Sequence, residues 1–232
     1  MEILRVENLS KSFDKFKAVN DVSFSLRELE LTALIGPNGA GKTTLINLIT
    51  KKLMPDSGRV FFMGKDITNL KPHQIVRLGI VRTFQIINMF PTLTVYENLK
   101  VCALTSGLAA KEIDMIMLDL RLEKFRDVKI LLRLPLGIQK LVELGMALAL
   151  KPKLLLLDEP AAGLPHEDRK NLMRILKDIG ERVTLLIVEH DIEFVFELAQ
   201  RIIVMDKGKI IADGKPEEIA SNKLIREIYL GE

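Results

Sequence analysis

The run Gly36-Pro37-Asn38-Gly39-Ala40-Gly41-Lys42-Thr43-Thr44 completes the phosphate-binding pattern GxxxxGK[ST], and it stands between an apolar stretch, Leu31 to Ile35, and a helix-compatible one, Thr44 to Lys51. Its glycines let the backbone wrap an anion without Cβ clashes, so that successive N–H groups and the positive end of the following helix face the phosphates. In such a loop Lys42 reaches the β- and γ-phosphate oxygens and Thr43 supplies a hydroxyl to Mg²⁺, while Gly36, Asn38, Gly39, Ala40, Gly41 and Thr44 line the cradle. The order strand, loop, helix therefore reads as the core of a protein that binds a nucleoside triphosphate.

Outward from the loop, the first thirty residues alternate with period two, as in Ile3-Leu4-Arg5-Val6 and Ala18-Val19-Asn20-Asp21-Val22-Ser23-Phe24-Ser25-Leu26, which predicts a strand meander. Gly58 to Gly64 predicts a further strand, closed by a Gly-Lys-Asp turn and paired with the first ones. From about Val95 to Leu134 the spacing is helical, with Leu118, Leu122 and Phe125 expected on one face, which suggests a helical insertion. After Lys153, apolar strands (Leu154 to Leu157, Val183 to Val188, Arg201 to Met205) alternate with helical segments (Glu167 to Ile179, Ile192 to Ala199), the pattern of a parallel sheet with crossover helices. Lys207-Gly208 turns a final hairpin from Ile202 to Met205 into Lys209 to Asp213, and no linker, repeat or low-complexity tract interrupts the chain.

With 232 residues and 48% hydrophobic content the chain can bury a sizeable core, as one large α/β domain or as a core with a small subdomain. Met1 to Ser10 carries Glu2, Arg5, Glu7 and Asn8 and does not read as a secretory signal, so the chain is expected to be cytosolic. Its apolar clusters are strand-sized, far short of the ~20 residues of a membrane span, so membrane association is expected only through a partner. The single cysteine, Cys102, excludes a disulfide framework and a CxxC metal site and reads as a small core hydrophobe. A net charge of +3 is too small and too dispersed to argue for nucleic acid, and the charges read as solvated faces.

The second motif is Leu154-Leu155-Leu156-Leu157-Asp158-Glu159-Pro160. A strand of a parallel sheet that ends in two acids places them at the carboxyl edge, where ligands bind in such folds. Asp158 would hold Mg²⁺, and Glu159 would orient or polarise the attacking water; the alternative is a plain strand-end turn into Pro160. His190 follows the apolar strand Val183 to Val188 and so reaches the same edge, within range of a γ-phosphate or water. Gln85, after Val81-Arg82-Thr83-Phe84, offers an amide able to sense magnesium and water without carrying charge.

These motifs, in this order, resemble those of the ATP-binding cassette (ABC) transporter ATPase subunits over nearly the whole chain. More narrowly, Arg82-Thr83-Phe84-Gln85 followed by Phe90-Pro91-Thr92-Leu93-Thr94-Val95-Tyr96-Glu97-Asn98-Leu99, the segment Ala161-Ala162-Gly163-Leu164 and the tail Tyr229-Leu230-Gly231-Glu232 are similar to the branched-chain amino acid importer subfamily. The resemblance implies a P-loop NTPase α/β fold: a nucleotide-binding core with an N-terminal antiparallel β subdomain, about 1–85 and 150–232, and an inserted helical subdomain, about 90–149. It implies ATP and Mg²⁺ sandwiched between two cassettes, hydrolysis that drives an integral-membrane permease fed indirectly by a periplasmic or extracellular solute-binding protein, and a place on the inner face of the cell membrane. It also implies Phe13 as the aromatic that stacks on adenine, Gln85 as the link from site to transporter and His190 as the γ-phosphate switch; Phe13 and Phe16 read equally as core residues of the meander.

The signature loop departs from the family's LSGGQ. Here it is Leu134-Pro135-Leu136-Gly137-Ile138-Gln139, and proline replaces the serine whose hydroxyl would meet the partner's γ-phosphate. Contact across the dimer then falls to the Gly137 N–H and the helix N-terminus that follows. Leu29-Glu30 stands where a Gly-Glu turn is usual, and Pro165-His166 where a polar Asp or Asn is expected. The reading favoured is an amino-acid importer ATPase. A regulatory or weakly hydrolysing subunit, suggested by Pro135, would differ in turnover of the dimer. A soluble ABC ATPase acting on DNA or ribosomes generally needs heptads or a second cassette, which this chain lacks; apolar residues between Ile86 and Tyr96 suit docking onto permease helices instead.

Overall fold

The computed structural model describes residues 1–83, 89–129, 134–223 and 225. In chain order it contains β1 (Glu2–Phe13), β2 (Phe16–Arg27), β3 (Leu31–Ile35), α1 (Lys42–Ile49), β4 (Ser57–Phe62), β5 (Lys65–Asp66), α2 (Pro72–Leu78), β6 (Ile80–Arg82), α3 (Val95–Ser106) and α4 (Ala110–Asp119). A single 3-10 turn, Glu123–Phe125, precedes α5 (Leu136–Leu148), β7 (Leu154–Asp158), α6 (His166–Gly180), β8 (Thr184–Val188), α7 (Ile192–Leu198), β9 (Arg201–Asp206), β10 (Lys209–Gly214) and α8 (Pro216–Ser221).

The period-two stretches form a four-stranded antiparallel sheet in the order β2-β1-β4-β5, with β4 on β1 as its sequence predicted. A second, six-stranded sheet has the order β10-β9-β3-β8-β7-β6; β9 through β6 run parallel and β10 returns antiparallel on β9. Strands β3, β7 and β8 are buried at every residue, which is why they read as unbroken apolar runs rather than alternating ones. Alternation survives in what they touch. Leu155 and Leu157 pack among residues of α3, α5 and α6, whereas Leu154 and Leu156 join Leu45, Ile46 and Ile49 of α1 and the inner face of the antiparallel sheet. The parallel sheet thus lies between helices on one side and α1 with the β meander on the other.

Helix α3 opens on a reciprocal cap: Thr94 Oγ1 accepts from the Glu97 N–H at 3.1 Å and the Glu97 carboxylate accepts from the Thr94 N–H at 2.7 Å. The single apolar face expected for Leu118, Leu122 and Phe125 does not form. Helix α4 ends at Asp119, Arg121 turns into the left-handed region (φ 56), and the 3.6-residue register is lost, leaving Leu118 62% exposed while Leu122 is buried. Ile113, Met117 and Leu120 face inward instead. Leu29 also adopts a left-handed conformation (φ 58), the one a glycine would take freely, at a cost of about 1 kcal/mol. Its N–H donates to Thr184 Oγ1 at 3.0 Å, which anchors the turn ahead of β3.

Lys51, just past α1, is buried, and its Nζ has no hydrogen-bond partner among the described residues. Burial lowers its pKa from 10.5 to about 8, against a smaller opposing pull from Asp66. Between these values the unfolded chain binds the proton more readily than the folded one, so stability contributed by this site rises as pH climbs from about 8 to 10.5. Lys51→Met is expected to remove that rise and to stabilise the protein at pH 7 by up to roughly 3 kcal/mol. Urea denaturation of both proteins across pH 7–10 checks this, and parallel pH profiles would refute it.

Candidate functional site

The phosphate loop joins the buried end of β3 to α1, and its shape is set by close backbone approaches. A Cβ on Gly41 (φ 102) would lie 2.1 Å from the Ala18 carbonyl oxygen of β2, and one on Gly36 would lie 2.2 Å from the Met205 carbonyl oxygen of β9. No side chain fits at either position, so the pattern's glycines are required here sterically as well as for φ. Ala40 is buried, its N–H donating to Pro37 O at 3.1 Å and its carbonyl accepting from Gly208 N at 3.0 Å. Asn38, Gly39 and Thr43 are exposed, and Thr44 is half-buried. Lys42 is buried, with Nζ donating to Gly36 O at 2.6 Å and Pro37 O at 3.1 Å. Burial lowers its pKa, while Glu159 and Asp158 act in the opposite direction and identify the carboxylates that face it.

At the carboxyl end of β7, Asp158 is buried and its Oδ2 accepts from Arg82 Nη2 of β6 at 2.6 Å. Arg82 Nη1 in turn reaches Asn47 Oδ1 of α1 at 2.5 Å, one helical turn beyond Thr43. The second Asp158 oxygen, Oδ1, is buried without a hydrogen-bond partner among the described residues. Glu159 has left-handed backbone (φ 49), and its N–H donates to Val188 O of β8 at 2.8 Å. Its Oε1 lies 3.9 Å from Nδ1 of the largely exposed His190, a separation that suits one bridging water or a charge contact when the ring is protonated. The neighbouring Glu189 is buried, its Oε1 accepting from Ala161 N at 2.8 Å, and burial pushes its carboxyl pKa up. Thus the loop, Lys42, Asp158, Glu159 and His190 gather at one edge of the parallel sheet.

Other expected residues lie around this edge. Phe13 and Phe16 flank the β1–β2 turn at 45% and 61% exposure, so neither belongs to the core, and that alternative is corrected. Five residues after Phe13, β2 reaches Ala18, whose carbonyl abuts Gly41. Gly137 sits in the first turn of α5, where a Cβ would come within 2.7 Å of Asp168 Oδ2 on α6. Pro135 caps this helix with no side-chain hydrogen bond, and the Gln139 amide closes the loop by donating to Leu134 O at 2.7 Å. Pro165 likewise stands at the N-cap of α6. Gln85 falls outside the described residues.

Sequence reasoning gave no role to Arg82, Asn47, Lys140 or Glu189. Arg82 had a visible signal, a cation closing the otherwise apolar Ile80-Val81 strand. Asn47, Lys140 and Glu189 had none, because each acts through a main-chain or side-chain partner distant in sequence.

The family model described as ABC transporter matches residues 19–162. The probable branched-chain amino acid transport ATP-binding protein LivG of Methanocaldococcus jannaschii is 39% identical, covering 100% of this chain and 98% of the relative, and that of Archaeoglobus fulgidus is 42% identical over 100% and 96%. The lipopolysaccharide export system ATP-binding protein LptB of Haemophilus influenzae is 34% identical over 100% and 98%. Among solved structures, the ADP conformation of an ATP-binding cassette of an ABC transporter superposes with TM-score 0.91 at 37% identity over 100% of both chains. A dimeric bacterial ABC transporter cassette does so with TM-score 0.82 at 25% identity, over 92% of this chain and 99% of that one.

Because the Arg82–Asp158 pair is buried, removing the cation leaves a buried carboxylate without its ion-pair partner. Arg82→Met is expected to destabilise the protein by about 3–5 kcal/mol, whereas Arg182→Met, which breaks the exposed pair with Asp119, should cost less than about 1 kcal/mol. Equal shifts in chemical denaturation would show that burial does not govern the pair.

Proposed function

Because the chain belongs to the ABC transporter family, as a subunit that binds and hydrolyses ATP, we propose that it powers uptake of branched-chain or similar amino acids through an integral-membrane permease. The observation that carries this reading is the convergence of Lys42, Asp158, Glu159 and His190 on one sheet edge, in a chain matched end to end by relatives named for branched-chain amino acid transport. Among the described residues no helix is long and apolar enough to cross a membrane, in keeping with a peripheral subunit on the inner face of the cell membrane.

In this reading the Gly36–Thr44 loop and Lys42 hold the triphosphate, and Phe13 lays its exposed ring on the adenine. Glu159 orients water toward the γ-phosphorus, and His190 contacts the γ-phosphate from the neighbouring strand end. The unpartnered Asp158 Oδ1 and the exposed Thr43 hydroxyl fit a hard divalent cation, with Gln85 as a further ligand. When bound, Mg²⁺ supplies positive charge that offsets that of the phosphate oxygens. A second cassette, a copy or a relative, closes each site with its signature loop; here Gly137 faces the partner's nucleotide. The core, about 1–85 and 150–232, carries the phosphate chemistry, and the helical part, about 90–149, carries the signature loop and meets the permease. The hydroxyl-free Pro135 favours a second reading, a weakly hydrolysing subunit that needs a relative as its partner.

Lys42→Ala is expected to weaken ATP binding by about 10- to 100-fold, the loss of a desolvated charge-assisted contact, and unchanged affinity in calorimetry would sink the assignment. Glu159→Gln should keep ATP binding, trap an ATP-bound dimer in gel filtration and lower turnover by about 100-fold or more. Wild-type turnover in that variant would shift the role to His190. Purification of the full chain from membranes should bring down a permease and a second cassette, and recovery with neither would contradict the transport reading.

A further inference from the structure

The two consecutive peptide units that follow the proposed catalytic carboxylate are held from outside. Lys140 stands on α5, one helical turn past Gly137, and its half-buried ammonium donates to Glu159 O at 3.0 Å and to Pro160 O at 2.9 Å. From the opposite side the buried Glu189 accepts from Ala161 N at 2.8 Å and, through Oε2, from His190 N at 3.2 Å. Glu159 is the residue in this stretch with left-handed backbone, a conformation that persists only where its surroundings over-determine it. Charge-assisted bonds to two successive carbonyls do so, and they join the helix that begins at the signature loop to the end of β7. Glu189 also opposes the effect of burial on the Lys140 ammonium.

We propose that Lys140 is a positioning residue: it fixes the backbone of Glu159 and relays displacement of α5 to it, so that a nucleotide met by this chain's signature loop in the partner cassette readies this chain's own carboxylate. The relay rests on the two-cassette reading above; the positioning of Glu159 does not. If α5 shifts when Gly137 meets the partner's nucleotide, the Glu159 and Pro160 carbonyls must follow the ammonium or lose it.

Lys140→Met, Lys140→Gln and Lys140→Arg in the full chain, purified with whatever second cassette accompanies it, test this. Each is assayed for Mg-ATP affinity, melting temperature and turnover as a function of ATP. Lys140→Met should lower kcat at least ten-fold while KM, affinity and melting temperature barely move, and it should reduce the Hill coefficient for ATP to 1. Lys140→Gln, with a shorter neutral donor, should fall between, which keeps the test decisive if Lys140→Met does not fold. Lys140→Arg should restore most of kcat, since its fork also reaches two carbonyls. Wild-type kcat in Lys140→Met and Lys140→Gln overturns the proposal, and so does a loss of affinity in step with melting temperature. A Glu159→Gln chain that forms no ATP-dependent dimer overturns the relay together with the sandwich reading, while a fall in kcat in Lys140→Met still supports the positioning role.

Discussion

Burial of both faces of β3, β7 and β8 means that side chains within them, short of the carboxyl-terminal Asp158, must be apolar or internally satisfied, as Thr32 and Thr184 are through Glu30 and the Leu29 N–H. Charge is therefore confined to strand ends. Because the strands are parallel, their carboxyl ends meet on one edge, and the loop after β3, the acids after β7 and the histidine after β8 come together without any of them being close in sequence. The same dryness raises the stakes for a cation that enters the layer beside an acid. Arg82 meets Asp158 where water cannot share the charge, and its second nitrogen holds Asn47 of the helix that follows the phosphate loop.

The two adjacent acids have different neighbours. In the sheet order β8-β7-β6, Asp158 turns to Arg82 on the β6 side and Glu159 to His190 on the β8 side, with the left-handed step at Glu159 separating them. One carboxylate is thereby matched to a permanent cation and keeps a buried oxygen without a hydrogen-bond partner among the described residues, while the other sits near an imidazole. Neighbours in sequence thus hold separate electrostatic posts.

Much of this was legible in the chain. Unbroken apolar runs marked the parallel strands and period-two alternation marked the antiparallel ones, because burial on two faces or one leaves a different trace in composition. The phosphate-loop glycines were legible for a steric reason that the Ala18 and Met205 carbonyls make concrete. The helical insertion was legible only as helical. Its apolar face was misread because periodicity cannot announce that α4 stops at Asp119 and that Arg121 breaks the register. The clamps on Glu159 were invisible for another reason: Lys140 and Glu189 act on main-chain atoms, and a carbonyl or N–H has no letter in the sequence.

The mould around the phosphate loop has a consequence for how the chain is made. Strand β3 lies between β8 and β9, Met205 closes over Gly36, and the Gly208 N–H binds Ala40, so a loop encoded in the first fifth of the chain is shaped by its last eighth. During synthesis the β1–β2 hairpin can pair as soon as it emerges and brings the Ala18 carbonyl with it, but the β9 side of the loop is missing until residues near 208 have left the ribosome. A nascent or truncated chain that carries the whole glycine-rich motif therefore still lacks the Met205 and Gly208 contacts that shape it. The final shape of the loop arrives late and together with the closed sheet, so it marks completion of the cassette rather than presence of the motif alone.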